Sequence, residues 1–440
     1  MPNANVKIIE ELKEFISIIV QRPDLLKQFC NSSSDFSRNR KLPFERIVLL
    51  IAKLCKKTLS VELEQFFEDI NLQTSCSVSA FTQQRMKLSP EFYRVWNELL
   101  CSCYYHYYNN EVRKWKGYRL IAADGSNVSL VKTPLLEKYF GGQSNQHGTF
   151  VQAKTFYCYD VLNELVVRSQ IAPFRTGELN IAYSLIDNLE DDMLMIYDRN
   201  FCSYKMVALH LWQEKEIKFV IRARETHKAI TSFIKGGKIS EEVLLKPTSG
   251  AIKALHESGY VVTKNTLLKV RLVRVELNGT VEVLMTNLWE EDQYPSSEFK
   301  TLYFKRWGVE TNISRQKNIL QLESFSGYTP ISIEQDFYAT VFVANLFSVL
   351  TKETQNTIEA TMVKRKYPMK INSNKSFGKL KGNIISLFVS EKPEIILEKL
   401  YQGFIRDPLP VRSNRSFPRI VKNKQSKSKH KTFMNYKPAF

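Results

Sequence analysis

Residues 303–317 place one carboxylate among cations and a phenol. Read as a helix at about 100° per residue, this stretch puts Tyr303, Arg306, Glu310 and Lys317 in one stripe roughly 60° wide. A core-facing helix would show an apolar stripe instead. A carboxylate flanked by cations that can reach phosphates suits a metal site working on a nucleic-acid backbone. An ordinary helix face with ion pairs four residues apart is the alternative that this stretch alone leaves open.

Two further carboxylates each end an apolar run of β type. Asp124 follows the run 118–123, and Asp198 follows the run 193–197. Ligands of open α/β sheets gather beyond strand ends, near a switch in strand order, so both can face one site. Taken singly, an Asp at a strand end is more often a turn or helix-cap residue. Together with Glu310, three carboxylates from distant parts of the chain can converge.

The composition is that of a globular protein that works against a polyanion. The 440 residues are 43% hydrophobic and 12% aromatic, and the net charge is +18. No apolar run reaches the length of a membrane span, and the N-terminus lacks a signal-peptide pattern. The seven cysteines are scattered without a C-x-x-C pair, which argues against a zinc site or a disulfide framework. We therefore expect a soluble cytoplasmic protein without a membrane partner.

Changes of periodicity divide the chain into five parts. An α-helical part is followed by an α/β layer with a mixed sheet, a small β-rich insertion, the Glu310 helix with a buried helix after it, and a helical part that ends in a basic tail. The boundaries are 1–112, 113–225, 226–298, 299–352 and 353–440. Within the last part, residues 364–381 read as basic and turn-rich, and residues 384–405 as a helix. The predicted fold class is α/β with flanking helical regions.

Residues 77–87 form a short polar helix behind a Ser cap, and they are a candidate for DNA contact. Helix-turn-helix binding there would point four side chains outward, namely Gln83, Gln84, Arg85 and Lys87. A surface helix without DNA contact is the alternative.

Two basic segments nearer the C-terminus have the same two interpretations. The insertion, with strands predicted at 260–263, 267–277 and 280–288, carries Lys264, Lys269, Arg271 and Arg274, which either touch DNA or form a solvated face. From Arg412 to the end there are nine Lys and Arg and no acid, typical of a nucleic-acid-seeking tail or a solubilising one.

Taken together, these features resemble a known family, the DDE transposases of insertion sequences. The matching motifs are Ala-Asp124-Gly-Ser, Tyr-Asp198-Arg-Asn-Phe and the spacing Y-x2-R-x3-E-x6-K, met by Tyr303, Arg306, Glu310 and Lys317. The best match is the insertion-sequence-four family, whose members carry a β-rich insertion before the glutamate. The resemblance covers roughly residues 115–350, and Gly308 inside the signature weakens the start of the helix by up to about 1 kcal/mol.

The resemblance implies a ribonuclease-H-like catalytic core with the β-rich insertion, preceded by an α-helical N-terminal DNA-binding domain. It implies action on the element's terminal inverted repeats in double-stranded DNA, and a homodimer that brings two ends together. It also implies Mg²⁺ dependence and, commonly in this group, a DNA hairpin at the excised end.

The chemistry of phosphodiester cleavage leads to the same acids. Two divalent ions about 3.5–4 Å apart stabilise the nucleophile, the phosphoryl oxygens and the leaving oxygen. Mg²⁺ takes hard oxygen ligands, and Mn²⁺ is expected to substitute. We assign Asp124 as the ligand that bridges two Mg²⁺ ions, Asp198 as a ligand of one ion and Glu310 as a ligand of the other. Water would free a 3′-OH, which would then attack the opposite strand or target DNA.

Six side chains are expected to contact DNA. By the resemblance, Tyr303, Arg306 and Lys317 hold phosphates beside the scissile bond. Arg199 and Arg222 are expected at the mouth of the site. Trp307 or Trp289 can stack on an unpaired base during hairpin formation, although a core-filling role is favoured for Trp289.

Two other functions remain open from the sequence. A catalytically silent DNA-binding protein descended from a transposase would keep the fold and lose an acid, whereas all three acids are present here. A stand-alone ribonuclease-H-like nuclease would not need the tyrosine, arginine and lysine of the signature, nor such extensive flanking regions. Binding specific to the element ends separates a transposase from such a nuclease.

Overall fold

The computed structural model describes residues 3–412 apart from 39, 54, 55, 146, 147, 216, 226, 278 and 362–364. The predicted basic tail therefore lies outside the described residues from 413 onward. The α-helices of the described part are Asn3–Gln21 (α1), Pro23–Gln28 (α2), Phe44–Ala52 (α3), Leu59–Asp69 (α4), Val78–Arg85 (α5), Glu91–Tyr107 (α6), Pro134–Phe140 (α7), Glu178–Ile186 (α8), Tyr204–Leu211 (α9), Lys228–Gly236 (α10), Ser249–His256 (α11), Phe299–Phe304 (α12), Trp307–Asn318 (α13), Pro330–Thr361 (α14), Ser373–Val389 (α15) and Pro393–Ile405 (α16).

A single mixed sheet runs through the middle of the protein. The strands are Arg119–Ser129 (β1), Gly142–Asn145 (β2), Gly148–Asp160 (β3), Leu165–Pro173 (β4), Met193–Tyr197 (β5), Lys218–Arg222 (β6), Ser240–Leu245 (β7), Leu268–Leu277 (β8), Thr280–Thr286 (β9), Met369–Lys370 (β10) and Leu409–Pro410 (β11). Nine of these described strands form the sheet. The order is β2-β3-β1-β5-β6-β9-β8-β7, and β4 also pairs with β3, while β10 pairs with β11 separately. β1, β5 and β6 are parallel, and β3, β4, β7, β8 and β9 pair antiparallel with their neighbours. The predicted α/β class with a mixed sheet is confirmed.

Helices cover both faces of this sheet. On one face, Ala122 of β1 packs in a buried cluster with Val309 of α13 and Phe337 of α14. On the other face, Ile121 packs with apolar residues of α8 to α11. Because side chains alternate along a strand, Asp124 lies on the same face as Ala122, toward α13. The Asp124 carboxylate therefore lies on the face of the sheet that packs against α13, the helix that contains Glu310.

The stretch around Glu310 is two helices, so the prediction of one continuous helix is wrong. At the break, the amides of Lys305 and Arg306 donate to carbonyls three residues back, at 3.1 and 3.0 Å. The turn lets α12 bury Phe299, Leu302 and Tyr303 in an apolar cluster against the sheet. Burial of these side chains outweighs the regular helix pattern, as tertiary packing commonly does.

Gly308, the departure noted within the signature, lies where α13 begins close to the β3–β4 connection. A Cβ atom at this position would lie 3.0 Å from a methyl carbon of Val161, tighter than ordinary packing. The glycine therefore allows the first turn of α13 to approach the sheet closely, which offsets its low helix propensity.

The segment 226–298 extends the main sheet. Its last strand, β9, pairs antiparallel with β6, with Arg222 opposite Leu284. The strands predicted at 267–277 and 280–288 are confirmed by β8 and β9, but the strand predicted at 260–263 is absent. The backbone amide of Val262 donates to the His256 ring at 3.3 Å, and the backbone amide of Thr263 donates to Thr266 Oγ1 at 3.0 Å. Side chains therefore accept the hydrogen bonds that a neighbouring strand would otherwise accept. Three further elements of this segment, β7, α10 and α11, were not predicted from the sequence.

The helices before and after the sheet share one hydrophobic core. Trp96 of α6 stacks on Phe342 of α14 with 3.8 Å between ring centroids, and lies 5.2 Å from Phe388 of α15. After α14, the described residues of the C-terminal part hold α15 and α16. The turn-rich prediction for 364–381 is wrong from Ser373 onward, where α15 begins behind an Asn372 cap. No helix in the described part of the chain is both long and apolar enough to cross a membrane. The five-part division stays a prediction.

Candidate active site

Strand register brings Asp124 and Asp198 side by side. The parallel pairing of β1 with β5 ends at Ala123 opposite Tyr197, and each aspartate is the next residue. β1 itself continues to Ser129 against β3, so the prediction that Asp124 ends its strand is wrong. Asp198 does follow its strand, and it accepts a hydrogen bond from the Asn200 amide at 2.6 Å at the start of a short 3-10 turn. The two carboxylates therefore occupy the point where the parallel pairing stops.

Arg306 connects the third acid to the first. Its Nη2 donates to Glu310 Oε1 at 2.6 Å, and its Nη1 lies 3.9 Å from Asp124 Oδ2. The guanidinium is 4.8 Å from the ring centroid of Trp307, which is 49% exposed beside it. The structure thus brings Asp124, Arg306 and Glu310 together, with Asp198 on the adjacent strand.

The electrostatics of Asp124 reflect a crowded site. Burial raises the pKa of its carboxyl from 3.8 to about 6, against the stabilising effects of the Gly125 amide and Arg306. The negative charges of Asp198 and Glu310 add to this increase. Burial lowers the pKa of Arg306, but its hydrogen bond to Glu310 raises the pKa by more. The single positive charge of Arg306 compensates only part of the negative charge of the three acids. A bound cation would relieve the rest.

The donor set fits a hard divalent cation, because it consists of carboxylate oxygens. In the described residues, however, no three His, Cys, Asp or Glu side chains are grouped so that they could hold a metal ion. Arg306 lies between Asp124 and Glu310, so this guanidinium has to withdraw from Glu310 before both acids can ligate ions.

The raised pKa of Asp124 predicts that Asp124→Asn stabilises the metal-free protein. Because the folded state binds the proton more tightly than the unfolded state, stability falls as pH rises from about 4 to 6 and stays low above that range. At pH 7.5, the asparagine variant is expected to gain about 1–3 kcal/mol in the free energy of unfolding. Urea unfolding in EDTA at pH 5 and pH 7.5 measures this difference.

Asp191→Asn, at an exposed position, is the matched control and should change stability by less than about 0.5 kcal/mol at either pH. A less stable Asp124→Asn protein at pH 7.5 would mean that attraction to Arg306 outweighs the cost of burial. Adding Mg²⁺ should stabilise the native sequence and leave Asp124→Asn nearly unchanged.

Tyr303 and Lys317 flank the acids from two sides. Burial raises the pKa of Tyr303 to about 12, so its phenol stays protonated at neutral pH and can donate a hydrogen bond. Lys317 Nζ donates to Ser126 Oγ and to the Asn127 carbonyl, each at 2.6 Å, just beyond Asp124 on β1. All four residues of the signature therefore border one site, although Tyr303 belongs to a different helix.

Arg199 and Arg222 meet at a residue that the sequence analysis missed. Both donate to the carboxylate of Glu282 on β9, at 3.0 Å from Arg199 Nη2 and 2.8 Å from Arg222 Nε. These arginines hold the pKa of Glu282 below its ordinary value although burial opposes this. Only the pairing of β9 with β6 places Glu282 there, so no local sequence signal identified it.

Glu178 is a second missed carboxylate, on the opposite face of β1. It binds Lys154 at 3.1 Å, and a Cβ atom at Gly125 would lie 2.7 Å from its Cδ. A side chain at position 125 would therefore have to displace the Glu178 carboxylate.

Several residues considered for DNA contact are buried instead. Arg85 and Gln84 are only 2% and 6% exposed, so the prediction that they point outward is wrong. Arg271 is also buried, where it donates to the carbonyls of Leu288 and Tyr294 at 3.0 and 2.9 Å. Trp289 is half-buried beneath Lys269, whose Nζ lies 4.9 Å from the ring centroid, so it does not fill the core.

With this geometry in place, the family can be stated. The family profile described as "Transposase DDE domain" matches residues 115–346, which is more than half of the chain. The chain belongs to the family of DDE-domain transposases, and it is a DNA transposase that cleaves DNA and transfers strands. This confirms the resemblance drawn from the motifs. Members of the family generally use divalent metal ions.

Two known proteins are similar to this chain. The chain is 23% identical over 420 residues to the transposase InsG for insertion sequence element IS4 from Escherichia coli (strain K12), covering 91% of this chain and 90% of that protein. Among solved structures, it is similar to the cryo-EM structure of a piggyBac transposase synaptic complex with hairpin DNA. That similarity has a TM-score of 0.42 and 11% identity, over 95% of this chain and 86% of the other.

Proposed function

We propose that this transposase cuts and joins double-stranded DNA at the terminal inverted repeats of the insertion sequence that encodes it. The observation that carries the proposal is the convergence of Asp124, Asp198 and Glu310, through the end of the β1–β5 register and the Arg306 contacts. The strand order β4-β3-β1-β5-β6 supports a ribonuclease-H-like core. In the proposal, the protein acts in the cytoplasm as a homodimer, because two element ends have to be joined.

The three acids have distinct roles in this proposal. Asp124, which lies beside Asp198 and 3.9 Å from Arg306, would be the ligand common to two Mg²⁺ ions, and Asp198 and Glu310 would each hold one of them. When bound, the ions activate the attacking oxygen and stabilise charge at the phosphorus and at the leaving oxygen. No covalent enzyme intermediate is needed, because water and then the freed 3′-OH attack in the same site.

The cations and the phenol position the DNA. Arg306, once released from Glu310, and Lys317 offer charged donors to phosphates beside the scissile bond. The protonated phenol of Tyr303 adds a neutral donor. Trp307, with about half of its surface exposed, offers a face on which an unpaired base can stack during hairpin formation.

The test is cleavage of DNA that carries the flanks of the protein's own gene, with Mg²⁺ or Mn²⁺, resolved on denaturing gels. Nicks at the element boundary, absent with EDTA and with scrambled ends, are the expected result. Equal cutting of scrambled ends would indicate a stand-alone nuclease. Binding of the true ends without cutting under either ion would indicate a silent DNA-binding protein. Mass photometry of the complex tests the homodimer.

A further inference from the structure

Glu282 is a buried carboxylate on β9, a strand of segment 226–298, and it lies at the edge of the candidate active site. It lies on β9, two residues from Leu284, which pairs with Arg222 of β6. The residue is 7% exposed. A carboxylate removed from water in this way requires charged or hydrogen-bonding partners.

Its partners are the two arginines at the mouth of the site. Arg222 Nε donates to Glu282 Oε2 at 2.8 Å, and Arg222 Nη2 also donates to Oε1. Arg199 Nη2 donates to Oε2 at 3.0 Å and lies 3.4 Å from Oε1. One carboxylate therefore orients two guanidinium groups, and the Arg222 pair has the two-point geometry that fixes direction as well as distance.

The same contacts hold the turn that presents Asp198. Arg199 directly follows Asp198, and Arg224 donates to the carbonyls of Arg199 and Asn200 at 2.9 and 3.1 Å. The turn 199–201 is thus fixed through a side chain by Glu282 and through the backbone by Arg224. Because Asp198 accepts from the Asn200 amide, the turn also sets the direction of its carboxylate.

The surface left open to a ligand is cationic. The side chains of Arg199 and Arg222 are 45% and 32% exposed, whereas that of Glu282 is 8% exposed. Two positive charges on one negative charge leave a net charge of about +1, and the guanidinium N–H groups that do not bind Glu282 remain for a phosphate.

We propose that Glu282 is a positioning residue for DNA cleavage. It holds Arg199 and Arg222 as a pair directed at a DNA phosphate near the scissile one, and it fixes the turn that carries Asp198. This inference rests on the proposed function for its catalytic part, whereas its DNA-binding part can be tested independently.

Glu282→Gln separates this role from that of a structural ion pair. The amide keeps the shape of the carboxylate but no longer neutralises one of the two arginine charges. DNA binding should therefore become more salt-dependent, and the slope of log K against log salt concentration should become steeper by about 1. Single-turnover cleavage of fully bound DNA should fall by about 10- to 100-fold, because the arginines and Asp198 are no longer aligned. A structural pair would lower the unfolding temperature without moving the salt slope.

Three further variants complete the test. Glu282→Asp keeps the charge and should recover part of the cleavage rate, and Glu276→Gln, exposed on the same β8–β9 hairpin, is the matched control. Arg199→Gln should make the salt slope shallower by about 1, and it remains informative even if Glu282→Gln does not fold.

The outcomes are distinct. A cleavage rate for Glu282→Gln within twofold of the native rate, with an unchanged salt slope, overturns the inference. If Glu282→Gln does not fold, an unchanged salt slope in Arg199→Gln overturns it. Absence of cleavage by the native protein overturns the proposed function, while the salt slopes still decide whether the two arginines bind DNA as a pair.

Discussion

Glu310→Gln is expected to lower Mg²⁺-dependent DNA cleavage by about 10³-fold or more while binding of the element ends stays close to normal. The amide has the shape of the carboxylate but is a poor ligand for a hard cation, and it removes one of three negative charges from the site. Asp124→Asn and Asp198→Asn should behave alike. Cleavage is followed on end-labelled DNA under single-turnover conditions, and binding by fluorescence anisotropy in Ca²⁺.

Glu164→Gln is a control with the same change of charge, at a residue of the β3–β4 connection that contacts another side of α13. Glu164 is 63% exposed and binds Arg315 of α13 at 3.2 Å, away from the three acids. Its cleavage rate should stay within about twofold of the native rate, since exposed ion pairs contribute little. Near-normal cutting by Glu310→Gln would remove Glu310 from the ligand set. Equal losses in both variants would point to a general disturbance of α13.

Arg85→Met is expected to destabilise the protein by about 3–5 kcal/mol, because it leaves a buried carboxylate without its cation. Arg85 Nη2 lies 3.0 Å from Asp336 Oδ1, and the two side chains are 2% and 8% exposed. The guanidinium also donates to Gln335 Oε1 at 2.9 Å and Ser326 Oγ at 2.7 Å. These contacts join α5 to α14, so their loss should loosen the N-terminal helices. Urea unfolding measures the change.

Lys87→Met removes a nearby cation at a partly exposed position and should cost no more than about 0.5 kcal/mol. Adding Asp336→Asn to Arg85→Met should recover part of the lost stability, because the stranded negative charge disappears. If Arg85→Met unfolds at the same urea concentration as the native protein, the buried network contributes nothing to stability.

Much of the sheet could be predicted because each of its central strands has a local pattern. The runs ending near Asp124 and Asp198 are short and apolar, and the hairpin of β3 and β4 is rich in β-branched and aromatic residues and bounded by turns. β7 was missed because its sequence, Ser-Glu-Glu-Val-Leu-Leu, is polar at one end and owes its pairing to β8. The break between α12 and α13 depends on which apolar residues find a core, and helix periodicity alone does not contain that information.

The three candidate acids could be predicted from strand ends and from spacing, whereas their surroundings could not. One segment has the spacing Y-x2-R-x3-E-x6-K, met by Tyr303, Arg306, Glu310 and Lys317, and this spacing can be read directly from the sequence. Glu282 reaches the site only through the pairing of β9 with β6, a long-range event without a local signature. The same limit explains Arg85, since the burial of a cation depends on partners about 250 residues away.

The shared core of the first and last helices has a consequence for how the gene can decay. Trp96, made early during translation, is covered by Phe342 and Phe388, which the ribosome adds much later. A copy truncated by a premature stop before α14 would leave this aromatic surface in water, and its early helices would lack part of their core. Such a fragment is a substrate for proteolysis and not a folded DNA-binding remnant that could compete with intact copies.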